Sequence, residues 1–160
     1  MSSVLSFGKH QGKTLVATVF ADPSWFLWAL QEGVFHDRGG AQLQREAEGI
    51  WRKVTNIKIP PRYPSGSVAA YYYQGWNHKF MDVMIVDDGC YEEHAVIRKV
   101  LDLGYVCESA RGDRLGHNLL SRGIKRIVFG SKKVTVAMLE RFFADPANFD
   151  LPALSEEPAE

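Results

Sequence analysis

Leu5-Ser6-Phe7-Gly8-Lys9-His10-Gln11-Gly12-Lys13-Thr14-Leu15, followed by Asp22-Pro23-Ser24-Trp25-Phe26-Leu27-Trp28-Ala29, is the stretch from which the fold class is read. Residues 4–7 are predicted as a short strand. Gly8 and Gly12 bracket a Lys9-His10-Gln11 tip and can take the positive φ that a tight turn asks for. Residues 15–19 are apolar and β-branched and are predicted to return as a second strand, closing a hairpin. Asp22-Pro23 then starts a helix, because Asp caps free N–H groups and Pro fits the first helical position. Residues 24–31 are apolar nearly all round, and Gly33 supplies a stop.

Further along, residues 37–40 read as a loop and 41–54 as a longer helix, with Leu43, Ala47, Ile50 and Val54 at helical spacing. Glu48 and Arg52 can pair on its other face. Pro60-Pro61 closes this part. Residues 67–73 and 80–86 are predicted as strands with residues 77–79 in the turn between them, and Asp87-Asp88-Gly89 as a second turn. Residues 91–100 fit a strand or a helix equally. Residues 104–107 and 124–129 are predicted as strands, 110–118 as an exposed loop, and 134–143 as a last helix. The predicted class is α+β: an N-terminal hairpin plus two helices, then a mainly antiparallel sheet with a C-terminal helix. Three segments follow, a module over 1–60, a second over 61–150 packed on the first, and an acidic tail over 151–160.

A chain of 160 residues, 46% hydrophobic and 24% charged, has the composition of an ordinary globular protein. No apolar run approaches the ~20 residues of a membrane span, and no basic-then-apolar leader is present, so a cytoplasmic location is expected with no membrane partner. Cys90 and Cys107 are too few for a disulfide scaffold. The formal net charge is zero, which by itself argues against a nucleic-acid binder. The distribution argues otherwise. Residues 136–160 hold Arg141 against six acids, so the rest of the chain carries the balancing positive charge.

The quoted stretch resembles the module at the C-terminus of exodeoxyribonuclease X-like proteins, through Phe7-Gly8-Lys9-His10-Gln11-Gly12-Lys13 and the aromatic-rich helix opened by Asp22-Pro23. The resemblance covers about a third of the chain and assigns residues 1–60 to that module. The remainder resembles small bacterial and phage proteins carrying the same module and ending in Phe129-Gly130-Ser131 and Asp145-Pro146-Ala147-Asn148-Phe149. In the exonucleases catalysis belongs to a separate domain that needs an Asp-x-Glu and a His with four residues between it and an Asp. Here Lys99 follows His94 at that distance and Arg122 follows His117, so no exonuclease activity is implied. What the resemblance implies is a contact with nucleic acid or with a partner.

Several constellations bear on function. Gly12-Lys13-Thr14 ends like a phosphate-binding loop, but Phe7 stands where that loop needs its first glycine, so a nucleotide hydrolase is excluded. Lys9, His10 and Lys13 on a glycine-flanked turn can still present charge to a phosphate, or can form a solvated turn and nothing more. The densest basic run is 111–133, with Arg111, Arg114, Arg122, Lys125, Arg126, Lys132 and Lys133 against Asp113 alone, and His117 within it. Clustered bases suit a polyanion, because affinity grows with the phosphates neutralised. They also suit ion pairs with Asp87, Asp88, Glu92 or Glu93. Tyr72 and Trp76 stand beside Arg62, His78 and Lys79 and can stack on bases, although strand aromatics are ordinary core residues. Trp25 and Trp28 are read as core. The acidic cluster of Asp82, Asp87, Asp88, Glu92 and Glu93 lacks the Asp…Glu-x-Lys spacing of restriction-type nucleases. Cys90, His94, Cys107 and His117 are too loosely spaced for structural zinc. No cofactor, metal or catalytic residue is assigned. The expectation is a non-catalytic protein that binds DNA or RNA. The alternative is a protein-interaction adaptor or inhibitor, and behind both stands a metal-dependent nuclease.

Finally, Phe7-Gly8-Lys9 with Phe20-Ala21-Asp22-Pro23 is echoed by Phe129-Gly130-Ser131 with Phe143-Ala144-Asp145-Pro146. Shared turn-and-cap grammar explains this more economically than duplication.

Overall fold

The computed structural model describes residues 1–91, 93–130 and 133–152. The glycine-flanked turn closes as expected: Leu5 N–H donates to the Lys13 carbonyl at 2.8 Å, and Gly12 N–H to the Leu5 carbonyl at 2.8 Å. Gly8 and Gly12 take φ of 73° and 86°. The returning strand is replaced by a helix, α1 (Leu15–Ala21), capped by Thr14, whose Oγ1 accepts from Ala17 N–H at 3.2 Å. Leu15, Val16, Thr18, Val19 and Phe20 are all buried, and a short run buried on every side has no period that separates strand from helix. Only an isolated bridge, Val4 to Thr14, remains of the predicted hairpin.

Helix α2 (Pro23–Gln31) starts as read, with Asp22 accepting from Trp25 N–H at 3.2 Å and Pro23 in the first turn. Helix α3 (Val34–Val54) begins earlier than expected, kinks at Gly40 and buries Ala47, Ile50 and Val54. Two small antiparallel sheets follow. Strand β1 (Ile57–Lys58) pairs with β5 (Val100–Leu101). Strand β2 (Ser67–Tyr73) lies between β3 (Phe80–Asp87) and β4 (Ala95–Arg98), with Tyr71 opposite Val83 on one side and Val96 on the other. The segment that suited strand or helix equally thus contains β4.

The predicted strands at 104–107 and 124–129 and the second half of the predicted loop at 110–118 give way to two helices, with residues 110–113 the turn between them. Helix α4 (Leu103–Ser109) is capped by Asp102, which accepts from Tyr105 N–H at 2.9 Å. Helix α5 (Arg114–Phe129) is capped by Asp113, which accepts from Gly116 N–H at 2.9 Å through one oxygen and from Phe80 N–H at 3.0 Å through the other. Leu120, Ile124 and Ile127 form its buried face. At Gly123 a Cβ would come within 2.6 Å of Val83 Cγ1, so this glycine lets α5 lie directly on β3. Helix α6 (Val136–Ala144) is capped by Thr135, and Asp145-Pro146 caps a single 3-10 turn, Pro146–Asn148. The two Asp-Pro pairs therefore share a capping role while opening different elements.

The architecture is α+β, and its buried residues form one cluster from Leu5 to Phe149. The first helix and the C-terminal elements pack together within it. Phe20 of α1 packs edge-on against Phe129, Phe142 and Phe143, and Asp150 N–H donates to the Asn56 carbonyl at 2.8 Å. Among the described residues no helix is long and apolar enough to cross a membrane. Of the expected acidic tail, Leu151 and Pro152 are described, and the rest lies outside the described residues.

Candidate nucleic-acid interface

Helix α5 decides where the basic block points. Arg114, His117, Asn118, Ser121, Arg122 and Lys125 recur at three- and four-residue spacing, which puts neighbours roughly 5–6 Å apart along one helix face. That face does not enter the core. It forms one wall of a groove whose opposite wall is the junction of α1 and α2. A central cavity of about 620 Å³ holds Lys9, Ser24, Trp28, Arg111, Arg114 and His117. A smaller one, about 270 Å³, continues it along α5 past Pro23 to Arg122 and Lys125, sharing His117 and Asn118 with the first. A third, about 560 Å³, extends the other way past Arg111 to Arg98, Asp102 and Glu108. No ion pair engages Arg111, Arg114, Arg122 or Lys125 among the described residues.

The glycine turn contributes one of its three bases to this groove. Lys9 Nζ reaches Asp22 at 2.7 Å at the cavity edge. His10 does not present itself to a phosphate. It is 7% exposed, its Nε2 lies 3.0 Å from Asp22 and its ring packs edge-on against Trp25. Both side chains converge on the same Asp22 oxygen, Lys9 from the solvent side and His10 from the buried side, where Trp25 of α2 covers its ring. Lys13 is exposed but lies off the groove.

The other expected contacts are dispersed. Arg126 flanks the stripe on the β3 side and pairs with Asp82 at 3.3 Å. Lys133 is exposed beyond the end of α5, and Lys132 lies outside the described residues. Tyr72 is half-buried on the outer face of the larger sheet, in a separate hollow with Tyr73, Met81, Met84 and Tyr91. Trp76, 84% exposed, sits in the turn between β2 and β3. Of the acidic cluster, Asp82 is engaged by Arg126 and by Val83 N–H, and Glu92 lies outside the described residues. Among the described residues no three His, Cys, Asp or Glu side chains are placed to hold one metal ion.

Sequence reasoning missed Trp28, Ser24 and Cys107 as groove residues and named His117 only as lying within the basic run. Trp28, read as core, is 50% exposed and lines the central cavity. Ser24, Cys107 and His117, from three different helices, meet there: Ser24 Oγ and His117 Nε2 are 2.9 Å apart, and Cys107 Sγ is 3.8 Å from the hydroxyl and 3.9 Å from the imidazole. Burial pushes the Cys107 thiol up, against the hydrogen bond from Ser24. Nothing local could have announced this meeting, because Ser24 and His117 are 93 positions apart.

Among the described residues Asp22 is the one carboxylate of the central cavity. Burial opposes its ionisation, but hydrogen bonds from Lys9, His10 and the Trp25 N–H outweigh that and hold its pKa below the ordinary 3.8. A depressed carboxyl pKa adds stability that is complete above the unfolded value and is lost as pH falls through the folded one. The Asp22→Asn variant keeps a good cap and removes only the charge. Its stability deficit relative to the parent is therefore expected to shrink as pH falls below 3.8, as measured by thermal unfolding. A deficit that stays constant through the acid range would contradict the ionic origin.

No family model, curated protein or solved structure matches this chain.

Proposed function

We propose that the chain is a non-catalytic nucleic-acid-binding protein whose phosphate contacts line the α5 groove. One observation carries this reading: Lys9, from a turn near the N-terminus, and Arg111, Arg114, Arg122 and Lys125 share one continuous depression, with no ion pair engaging the last four among the described residues. Unneutralised bases in a row along a groove are what a polyanion exploits, since each phosphate neutralised releases counterions. The half-exposed Trp28 adds an aromatic face on which a base can stack.

Fluorescence anisotropy with labelled single-stranded DNA, duplex DNA and RNA, across a salt series and without divalent metal, tests the reading. Affinity is expected to fall steeply with salt, with a slope of about −0.7 per phosphate contact on a single strand. Absence of binding at micromolar protein and low salt would remove it.

A second reading rests on a different surface. The hollow on the outer face of the larger sheet is flanked by Met81, Met84 and Tyr91, all about half exposed. Exposed apolar patches of this kind mark protein contacts. A single stoichiometric protein partner that survives nuclease treatment would favour an adaptor or inhibitor instead.

A further inference from the structure

The groove is not electrostatically uniform along its length. From Lys125 and Arg122 it runs through Arg114 and Arg111 with like charge, interrupted only by Asp22. Beyond Arg111 the third cavity presents Asp102, held by Arg98 at 2.9 Å, and the exposed Glu108. A polyanion lying along α5 therefore meets net positive charge as far as the central cavity and none past it, where Arg98 and Arg111 are balanced by Asp102 and Glu108.

The central cavity is also richer in donors than one backbone phosphate can use. Lys9, Arg111 and Arg114 line it together with the Ser24 hydroxyl and the His117 imidazole. A phosphodiester carries a single charge, whereas a terminal phosphomonoester carries about −1.5 to −2 at pH 7 and offers three acceptor oxygens. Trp28, half exposed on the same cavity, is placed to stack on the last base. Asp22 stands against this charge, but its carboxylate keeps the His10 ring and the Trp25 N–H as partners when Lys9 turns to a phosphate.

We infer that the groove receives the end of a polynucleotide strand, with the terminal phosphate seated among Lys9, Ser24, Arg111, Arg114 and His117 and the adjoining backbone running past Arg122 and Lys125. This rests on the nucleic-acid reading above, and the test separates the two. The full chain is titrated against single strands of one sequence bearing a 5′-phosphate, a 3′-phosphate or neither, and against the same sequence closed into a circle. One phosphorylated end is expected to bind about tenfold more tightly than the unphosphorylated strand, and the circle no more tightly than the latter. Which end is preferred gives the polarity of the strand. In Ser24→Ala, an exposed position whose truncation leaves the core untouched, the preference is expected to drop severalfold. Equal binding of all four ligands would overturn strand-end recognition while leaving the groove as a backbone site. A preference undiminished in both Ser24→Ala and Arg114→Ala would overturn the seat assigned to the phosphate. No binding of any ligand would overturn both readings.

Discussion

Replacing Tyr71 by alanine is expected to destabilise the protein by about 3–5 kcal/mol, the range found for emptying a large aromatic site in a core. Tyr71 is fully buried at the centre of β2. Its ring meets Tyr105 of α4 edge-on at 5.0 Å. Its hydroxyl donates to the Val100 carbonyl at 3.3 Å and accepts from Asp102 N–H at 3.1 Å. Burial pushes the phenol far above its ordinary pKa, so the proton it donates is present at any ordinary pH. One side chain thus ties the larger sheet to β5 and to the cap of α4, the helix that carries Cys107 to the groove. Against a total stability of about 5–15 kcal/mol, the loss is visible as a large shift of the urea midpoint. Tyr71→Phe keeps the ring and leaves the Asp102 N–H without its acceptor, so a smaller cost of about 1–3 kcal/mol is expected. Equal costs for the two variants would place the energy in the hydroxyl bridge and not in the ring.

What the sequence disclosed follows the strength of local signals. Asp22-Pro23 announced α2, the periodic apolar residues announced most of α3, and two β-branched and aromatic runs around a polar turn announced β2 and β3. The failures have two physical causes. Five of the six residues from Leu15 to Phe20 are buried, so no amphipathic period stands out to be read, and the Thr14 cap was the only local clue to α1. In α4 and α5 the caps Asp102 and Asp113 were overlooked: residues 104–107 and 124–129 were read as strands, and 110–118, which holds Gly112 and Gly116, as a loop. Yet Gly123 is helical because β3 passes too close for a side chain, a tertiary reason that no local window holds. The same oversight blurred the site. The block at 111–133 was read as one basic run, but only the helical period sorts Arg114, Arg122 and Lys125 onto the groove and turns Arg126 toward Asp82. Trp28 was assigned to the core because its helix is apolar all round, and the meeting of Lys9 with Arg111 is a long-range consequence of the fold.

The Arg111→Ala/Arg114→Ala double variant is expected to lose nucleic-acid affinity on the order of 10- to 100-fold at low salt, with the salt slope flattened by about 1.4 on a single strand. Both residues are exposed and neither is held in an ion pair among the described residues, so folding and thermal stability should stay close to the parent's. That separation makes the outcome interpretable. A control variant, Lys13→Ala/Arg126→Ala, removes the same charge from outside the groove. If the protein bound polyanions only through its overall field, the two variants would weaken binding alike, because long-range attraction depends on net charge and not on its address. If the contacts are made in the groove, the first variant loses much more than the second, and the slopes differ with it. Equal losses, or unchanged affinity in the first, would remove the α5 groove as the binding surface.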